Sequence, residues 1–162
     1  MIASKCQHGF SMIEVLMSTI LVGLSIAALV AASNSFTMAN GAGADLSTAE
    51  FLIEQIRELT ATLAVIDPQS GTAVFGPEET GVANYDDVDD FNGATYSPPI
   101  GFNRTVLSDL AGFSQHIVVQ NVSQANFNTV VANHSSNFVR VTVTVSLNNR
   151  QISSASWIRA RY

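Results

Sequence analysis

The sequence predicts an α+β fold: one long N-terminal helix, apolar in its first half and amphipathic in its second, packed on a small antiparallel β-sheet. Three observations carry this. Residues 10–32 form an apolar run with a single charge, helical apolar spacing continues to about residue 63, and valines alternate strictly with polar residues over 138–147.

The apolar run is FSMIEVLMSTILVGLSIAALVAA, and its one charge is Glu14. A helix of this length spans about 34 Å at about 1.5 Å per residue, enough for a bilayer core of about 30 Å. Lys5 precedes the run, so the N-terminus is expected to stay cytoplasmic and the remainder to be exported. Beyond the run, Phe36, Ala39, Gly43, Leu46, Ile53, Ile56, Leu59 and Leu63 recur at three, four or seven residues, while Glu50, Glu54, Arg57 and Glu58 fall largely on other faces. Gly41 and Gly43 weaken this helix locally and leave room for a bend or a melted turn. Pro68 biases Asp67 away from helix, so the helix is expected to stop near Ile66.

Glycines, prolines and acids make the next stretch, to about residue 112, read as loop. The remainder is strand-rich. Val139, Val141, Val143, Val145 and Leu147 face one way, and Arg140, Thr142, Thr144 and Ser146 the other. Asn148-Asn149 supplies a two-residue turn, because asparagine tolerates positive φ. Gln151 to Arg161 returns as the partner strand, with Ile152, Ile158 and Ala160 on one face and Trp157 on the other; Gln115 to Val122 reads as a third strand. The inward face of this sheet is expected to lie on the helix at 46–63.

With 47% hydrophobic and 12% charged residues, the chain is too apolar for disorder. Its 162 residues suit one head plus one helix. Charge is segregated within the net −6. Residues 45–90 hold eleven acids against Arg57, whereas from Asn103 onward Asp109 stands against five arginines. That asymmetry suits head-to-tail contacts between copies as well as a solvated surface. Scattered arginines on an acidic chain give no nucleic-acid footprint, so no direct nucleic-acid partner is expected. One cysteine, Cys6, excludes an internal disulfide. No G-x-S-x-G, H-E-x-x-H, Walker or G-x-G-x-x-G pattern occurs, so an enzyme is not expected. His8, His116 and His134 are scattered, as surface or hydrogen-bonded groups usually are, and Trp157 with Tyr162 suits core packing better than an adhesive patch.

The N-terminus admits three readings: an uncleaved signal anchor, a signal peptide cut after Val30-Ala31-Ala32, or cleavage before the apolar run, after Gly9. Glu14 favours the last. A carboxylate costs about 2.5–3.5 kcal/mol at the centre of a membrane helix. A cut after Gly9 creates a positive amine on Phe10, four residues before Glu14, and in a stack of staggered helices that amine can meet a neighbour's Glu14.

The segment Gly9-Phe10-Ser11-Met12-Ile13-Glu14-Val15-Leu16 resembles the prepilin peptidase recognition segment of type IV pilins and type II secretion pseudopilins. The resemblance implies cleavage after Gly9, N-methylation of Phe10, and a role for Glu14 in assembly. It implies other pilin subunits, prepilin peptidase, an inner-membrane assembly machinery and membrane lipid as partners. It places the chain in the bacterial inner membrane, single-pass with a cytoplasmic N-terminus, and then in a periplasmic or cell-surface filament. A proline midway in the span and the paired cysteines of many major pilins are absent here. On this reading residues 1–9 are leader, 10–32 the transmembrane and assembly helix, 33–66 the amphipathic helix, 67–112 an acidic loop region and 113–162 the sheet, which forms one head with 33–112.

Within the loop, Tyr85-Asp86-Asp87-Val88-Asp89-Asp90-Phe91-Asn92-Gly93 places four carboxylates in five residues, which repel unless neutralised. Asp86, Asp87, Asp89 and Asp90 are candidate ligands for Ca²⁺, though not in EF-hand spacing; arginines of a neighbouring subunit, or plain solvation, are the other readings. This string resembles minor pilins similar to those of mannose-sensitive haemagglutinin-type pili, and implies a minor subunit. The rival to a filament subunit is a signal-anchored extracytoplasmic module that binds Ca²⁺ or an adhesive ligand and does not polymerise.

Overall fold

The computed structural model describes residues 9–69 and 71–161. The leader expected at residues 1–9 therefore falls, except for Gly9, outside the described residues, as does Tyr162. The chain divides into two units, one ending at Gly43 and the other running from Ala44. The fold is α+β: helix α1 (Met12–Ala61), then strands β1 (Thr95–Tyr96), β2 (Phe113–Ser123), β3 (Asn126–Val130), β4 (Phe138–Leu147) and β5 (Arg150–Ala160).

Helix α1 starts where its sequence permits. Ser11 stands at the N-cap, and its hydroxyl accepts the Glu14 backbone N–H at 3.2 Å. Ser11-Met12-Ile13-Glu14 thus has the spacing of a capping box, with an acid in the first turn where the helix dipole favours it. In the first unit the side chains of α1 are exposed all round. Its hydroxyls are turned back on the helix: Ser18 donates to the Glu14 carbonyl and Ser25 to that of Leu21, both at 2.8 Å, and Ser35 to that of Ala31 at 3.0 Å. This removes their polarity from the helix surface. The helix continues through Gly41 and Gly43 rather than melting there, and the boundary between the two units falls immediately after Gly43.

The second unit is built on the last turns of α1. Ala49, Leu52, Ile53, Ile56 and Leu59 are buried, a stripe at spacings of three and four. It packs on the alternating inward residues of β2 (Phe113, Ile117, Val119) and β4 (Val139, Val141, Val143, Val145). Leu46, expected on this stripe, is 47% exposed, while Ala49 and Leu52 carry it instead. The sheet order is β1-β2-β4-β5, all antiparallel, with β3 paired to the end of β2. Asn148 and Asn149 have φ of 49° and 65°, the left-handed pair that a two-residue hairpin requires.

Two expectations are corrected. The helix ends at Ala61, not near Ile66. The chain is captured there before Pro68 acts: Ala64 forms a parallel bridge with Asp87, and the Arg159 guanidinium donates to the carbonyls of Thr60 (2.6 Å) and Leu63 (2.9 Å). The last turn of α1 has no basic residue of its own, so β5 supplies the cation that suits a helix C-terminus. Ile152 does not share a face with Ile158 and Ala160. The register shifts between Val145 and Ser146, so Gln151 and Ser153 pair with adjacent residues of β4 and Ile152 is the extra residue. Ile152 then packs on the core, as does Trp157 farther along β5, over whose ring the Arg57 guanidinium sits at 4.9 Å.

Among the buried polar residues, one joins three parts of the head. Gln115 is fully buried: its amide donates to the carbonyls of Leu52 (2.9 Å) and Ile100 (3.1 Å) and accepts the Ile100 N–H (2.8 Å). It ties helix, loop and sheet through one side chain. Replacing Gln115 by Leu strands the Ile100 backbone groups, and we expect a loss of about 3 kcal/mol of unfolding free energy, read from the midpoint of a denaturant melt. A change below about 0.5 kcal/mol would mean that the loop supplies these partners itself.

Candidate functional site

The acidic run is not a solvated turn. Val88 and Phe91, three residues apart, are fully buried in the core, and the chain between them forms a short 3-10 turn, Asp89–Phe91. Anchoring both apolar residues draws the intervening acids inward: Asp87, Asp89 and Asp90 are 1%, 2% and 0% exposed. Residue 88 is fixed from a second side by its N–H, which donates to the Ala64 carbonyl at 2.9 Å.

Each of the four aspartates uses one oxygen on an N–H donor. Asp87 Oδ1 accepts the backbone of Asp89 (2.8 Å) and Asp90 (3.1 Å), and Asp90 Oδ2 accepts that of Asp86 (3.0 Å) and Asp87 (3.3 Å). Asp89 Oδ2 accepts the Gly76 N–H at 3.2 Å, and Asp86 Oδ2 the Gln69 side-chain amide at 2.8 Å. The other oxygen of each, Asp86 Oδ1, Asp87 Oδ2, Asp89 Oδ1 and Asp90 Oδ1, is shut off from solvent and has no partner. Glu79 Oε2 is in the same condition. Asp86, Asp87 and Asp90 each bring a carboxylate oxygen within 4.8 Å of the other two; so do Glu78, Glu79 and Asp90, and so do Asp67, Glu78 and Asp87.

Electrostatics follow from this crowding. Burial pushes the Asp87 carboxyl up to about 8, with contact from Asp89 and the charges of Asp89 and Asp90 adding to it and the Asp90 N–H opposing. Glu79 is raised by desolvation and then by its contact with Asp90. Tyr85 is raised by burial and by the charges of Asp90 and Glu79.

Four arginines are engaged elsewhere. Arg104, at φ 65°, spends its guanidinium on the carbonyls of Ala83 and Tyr85, both at 2.6 Å. Arg159 caps α1, Arg140 holds Gln120 at 2.8 Å, and Arg57 pairs with Glu54 at 2.7 Å. None of Glu79, Asp86, Asp87, Asp89 and Asp90 is ion-paired among the described residues.

The sequence singled out all four aspartates, and the structure brings them together. It missed Asp67, Glu78 and Glu79, which tertiary folding alone delivers, and Gly76, whose N–H reaches Asp89. His116 and His134 are hydrogen-bonded to Thr95 Oγ1 (2.9 Å) and the Val74 carbonyl (2.6 Å), and neither joins a metal-type group. Of the processing and assembly residues, Gly9, Phe10 and Ser11 precede the helix and are exposed, and Glu14 is exposed on its first turn. The S-x-x-E signature that caps the helix was legible but was not read as a cap.

No family model, curated protein or solved structure matches the chain. What the fold defines is an α+β chain whose single long helix is apolar enough to cross a membrane, with a mean hydropathy of 2.4 over its most apolar window.

The raised Asp87 predicts an unusual pH profile. Its folded value lies above the ordinary carboxylate value, so its stabilising effect is full below about pH 4 and is lost as pH rises toward about 8. In chelator-treated protein we expect unfolding free energy to fall across that window, by up to about 1.4 kcal/mol per pH unit, with Asp87→Asn flattening the slope. Denaturant melts at several pH values check this.

Proposed function

We propose that the chain is a structural subunit of a type IV pilus-like or type II secretion-like filament, a minor pilin or pseudopilin, cut after Gly9 by a prepilin peptidase and assembled through the first half of α1. The observation that carries this reading is the helix over residues 12–43, exposed on all sides, uncharged except for Glu14 and predominantly apolar up to Ala32. A helix apolar all round needs either lipid or neighbouring helices about it. Lipid serves the stored subunit and copies of the same helix serve the filament.

The chemistry at the N-terminus supports the same reading. Gly9-Phe10 lies in non-helical, exposed chain just ahead of Met12, where a peptidase can take the backbone in extended form. Cutting there frees an amine on Phe10. In a staggered stack that amine neutralises Glu14 of the next copy, removing a charge from the apolar bundle and setting the axial register. Glu14 also occupies the acidic position of a capping-box sequence, so an alanine variant would confound helix initiation with assembly.

Glu14→Gln separates the two, since glutamine keeps the capping box and loses the charge. Expressed in its own cells, this variant is expected to reach the membrane in wild-type amounts, be cut normally and fail to enter sheared filaments. The wild-type protein from those membranes is expected by intact mass to begin at N-methylated Phe10. A chain beginning at Ser33 would sink the reading, and an uncut chain would leave a membrane anchor without assembly.

A further inference from the structure

We propose that the acidic pocket binds a hard divalent cation, Ca²⁺ in preference to Mg²⁺, through the unpartnered oxygens of Asp86, Asp87, Asp89, Asp90 and Glu79. The proposal rests on those orphaned oxygens more than on the clustering of acids. Asp87, Asp89 and Asp90 are all at least nine-tenths buried, and each has one oxygen held by backbone N–H donors and the other facing no hydrogen-bond donor. Buried carboxylate oxygens are ordinarily paired, and leaving several unpaired side by side is costly.

The identity of the occupant follows from size, charge and access. Arg57, Arg104 and Arg159 are each committed to a carbonyl or another side chain. A guanidinium from a second copy would have to open the 3-10 turn to reach oxygens that solvent does not touch. A bare ion needs far less room. Ligand oxygens on opposite sides of Ca²⁺, each at about 2.4 Å, lie up to about 4.8 Å apart, whereas Mg²⁺ draws them to about 4.2 Å in strict octahedral geometry and keeps several waters. A set made of carboxylate oxygens shut off from solvent suits the ion that takes more protein oxygens and fewer waters. Glu79, only partly buried, and the exposed Glu78 flank the side from which the ion would arrive.

The ion would act as a clip. Asp86 through Asp90 belong to the turn pinned on the core by Val88 and Phe91, while Glu79 belongs to the preceding loop, which Asp89 already touches at Gly76. Bridging the two fixes that loop to the head without any cysteine.

The test uses the full chain in detergent micelles, stripped with EGTA, at neutral pH and constant ionic strength. Millimolar CaCl₂ is expected to raise Tm by about 5 °C or more, MgCl₂ by less and NaCl not at all. Tb³⁺ is expected to bind with luminescence sensitised by Tyr85 and to be displaced by Ca²⁺. Glu79→Gln, at a partly exposed position outside the hydrogen-bonded turn, is expected to fold and to need at least tenfold more Ca²⁺ for half the shift; Asp87→Asn is expected to abolish it. Equal Tm in EGTA and in Ca²⁺, or a wild-type Ca²⁺ response in both variants, overturns the proposal. So does stabilisation that appears only on acidification, since protons shared between carboxyls would then fill the cation's place. Binding is read on the unassembled chain, so its failure leaves the filament reading intact.

Discussion

The contact on which the head depends is the packing of Leu52, Ile53 and Ile56 against the valine face of β4 and the apolar face of β2. A four-stranded path of sheet has one face to bury, and the last turns of α1 are the long helical surface that covers it. Once that contact exists, the rest is constrained. The helix must end where the sheet ends, and Arg159 on β5 takes the freed carbonyls of Thr60 and Leu63. The connection from helix to sheet must then cross the open end of the core, and it does so by inserting Val88, Phe91 and Ile100. Gln115 satisfies the backbone where Ile100 enters.

The acidic pocket is a consequence of that crossing. Four aspartates in five residues would remain in water on composition alone, but two apolar residues spaced for a 3-10 turn carry acids beside them under the surface. Backbone N–H groups of the same stretch hold one oxygen of Asp87 and one of Asp90, Gly76 and Gln69 hold one of Asp89 and one of Asp86, and the second oxygen of each meets no donor. The chain therefore holds two regions that water alone does not complete. One is a helix whose apolar side chains are exposed on all sides over its first half, and the other is a pocket of buried carboxylates whose second oxygens meet no donor.

Much of this could be read without a structure. The alternation of Val139 to Val145, the Asn148-Asn149 turn and the returning strand follow from local rules, and the structure has all three. The long helix and its packing on the sheet also followed, because periodicity reports which face is buried. The misses share a cause. The end of α1 at Ala61 is decided by an arginine nearly a hundred residues away, the placement of Ile152 by a bulge in strand pairing, and the short strands β1 and β3 by their partner β2. None of these leaves a periodic trace in its own segment.

The sequence by itself determined the elements whose reasons are local: the apolar span with its lone Glu14, the capped start at Ser11, the alternating strands and the tight hairpin. It also showed four aspartates together. Only the tertiary structure decided that Asp87, Asp89 and Asp90 are buried, that Glu79 approaches Asp90 across the loop, and that none of these four is ion-paired among the described residues. The physical reason is that burial of a charge depends on what the neighbouring apolar residues pack against, and for Val88 and Phe91 that is a core assembled from segments far apart in the chain.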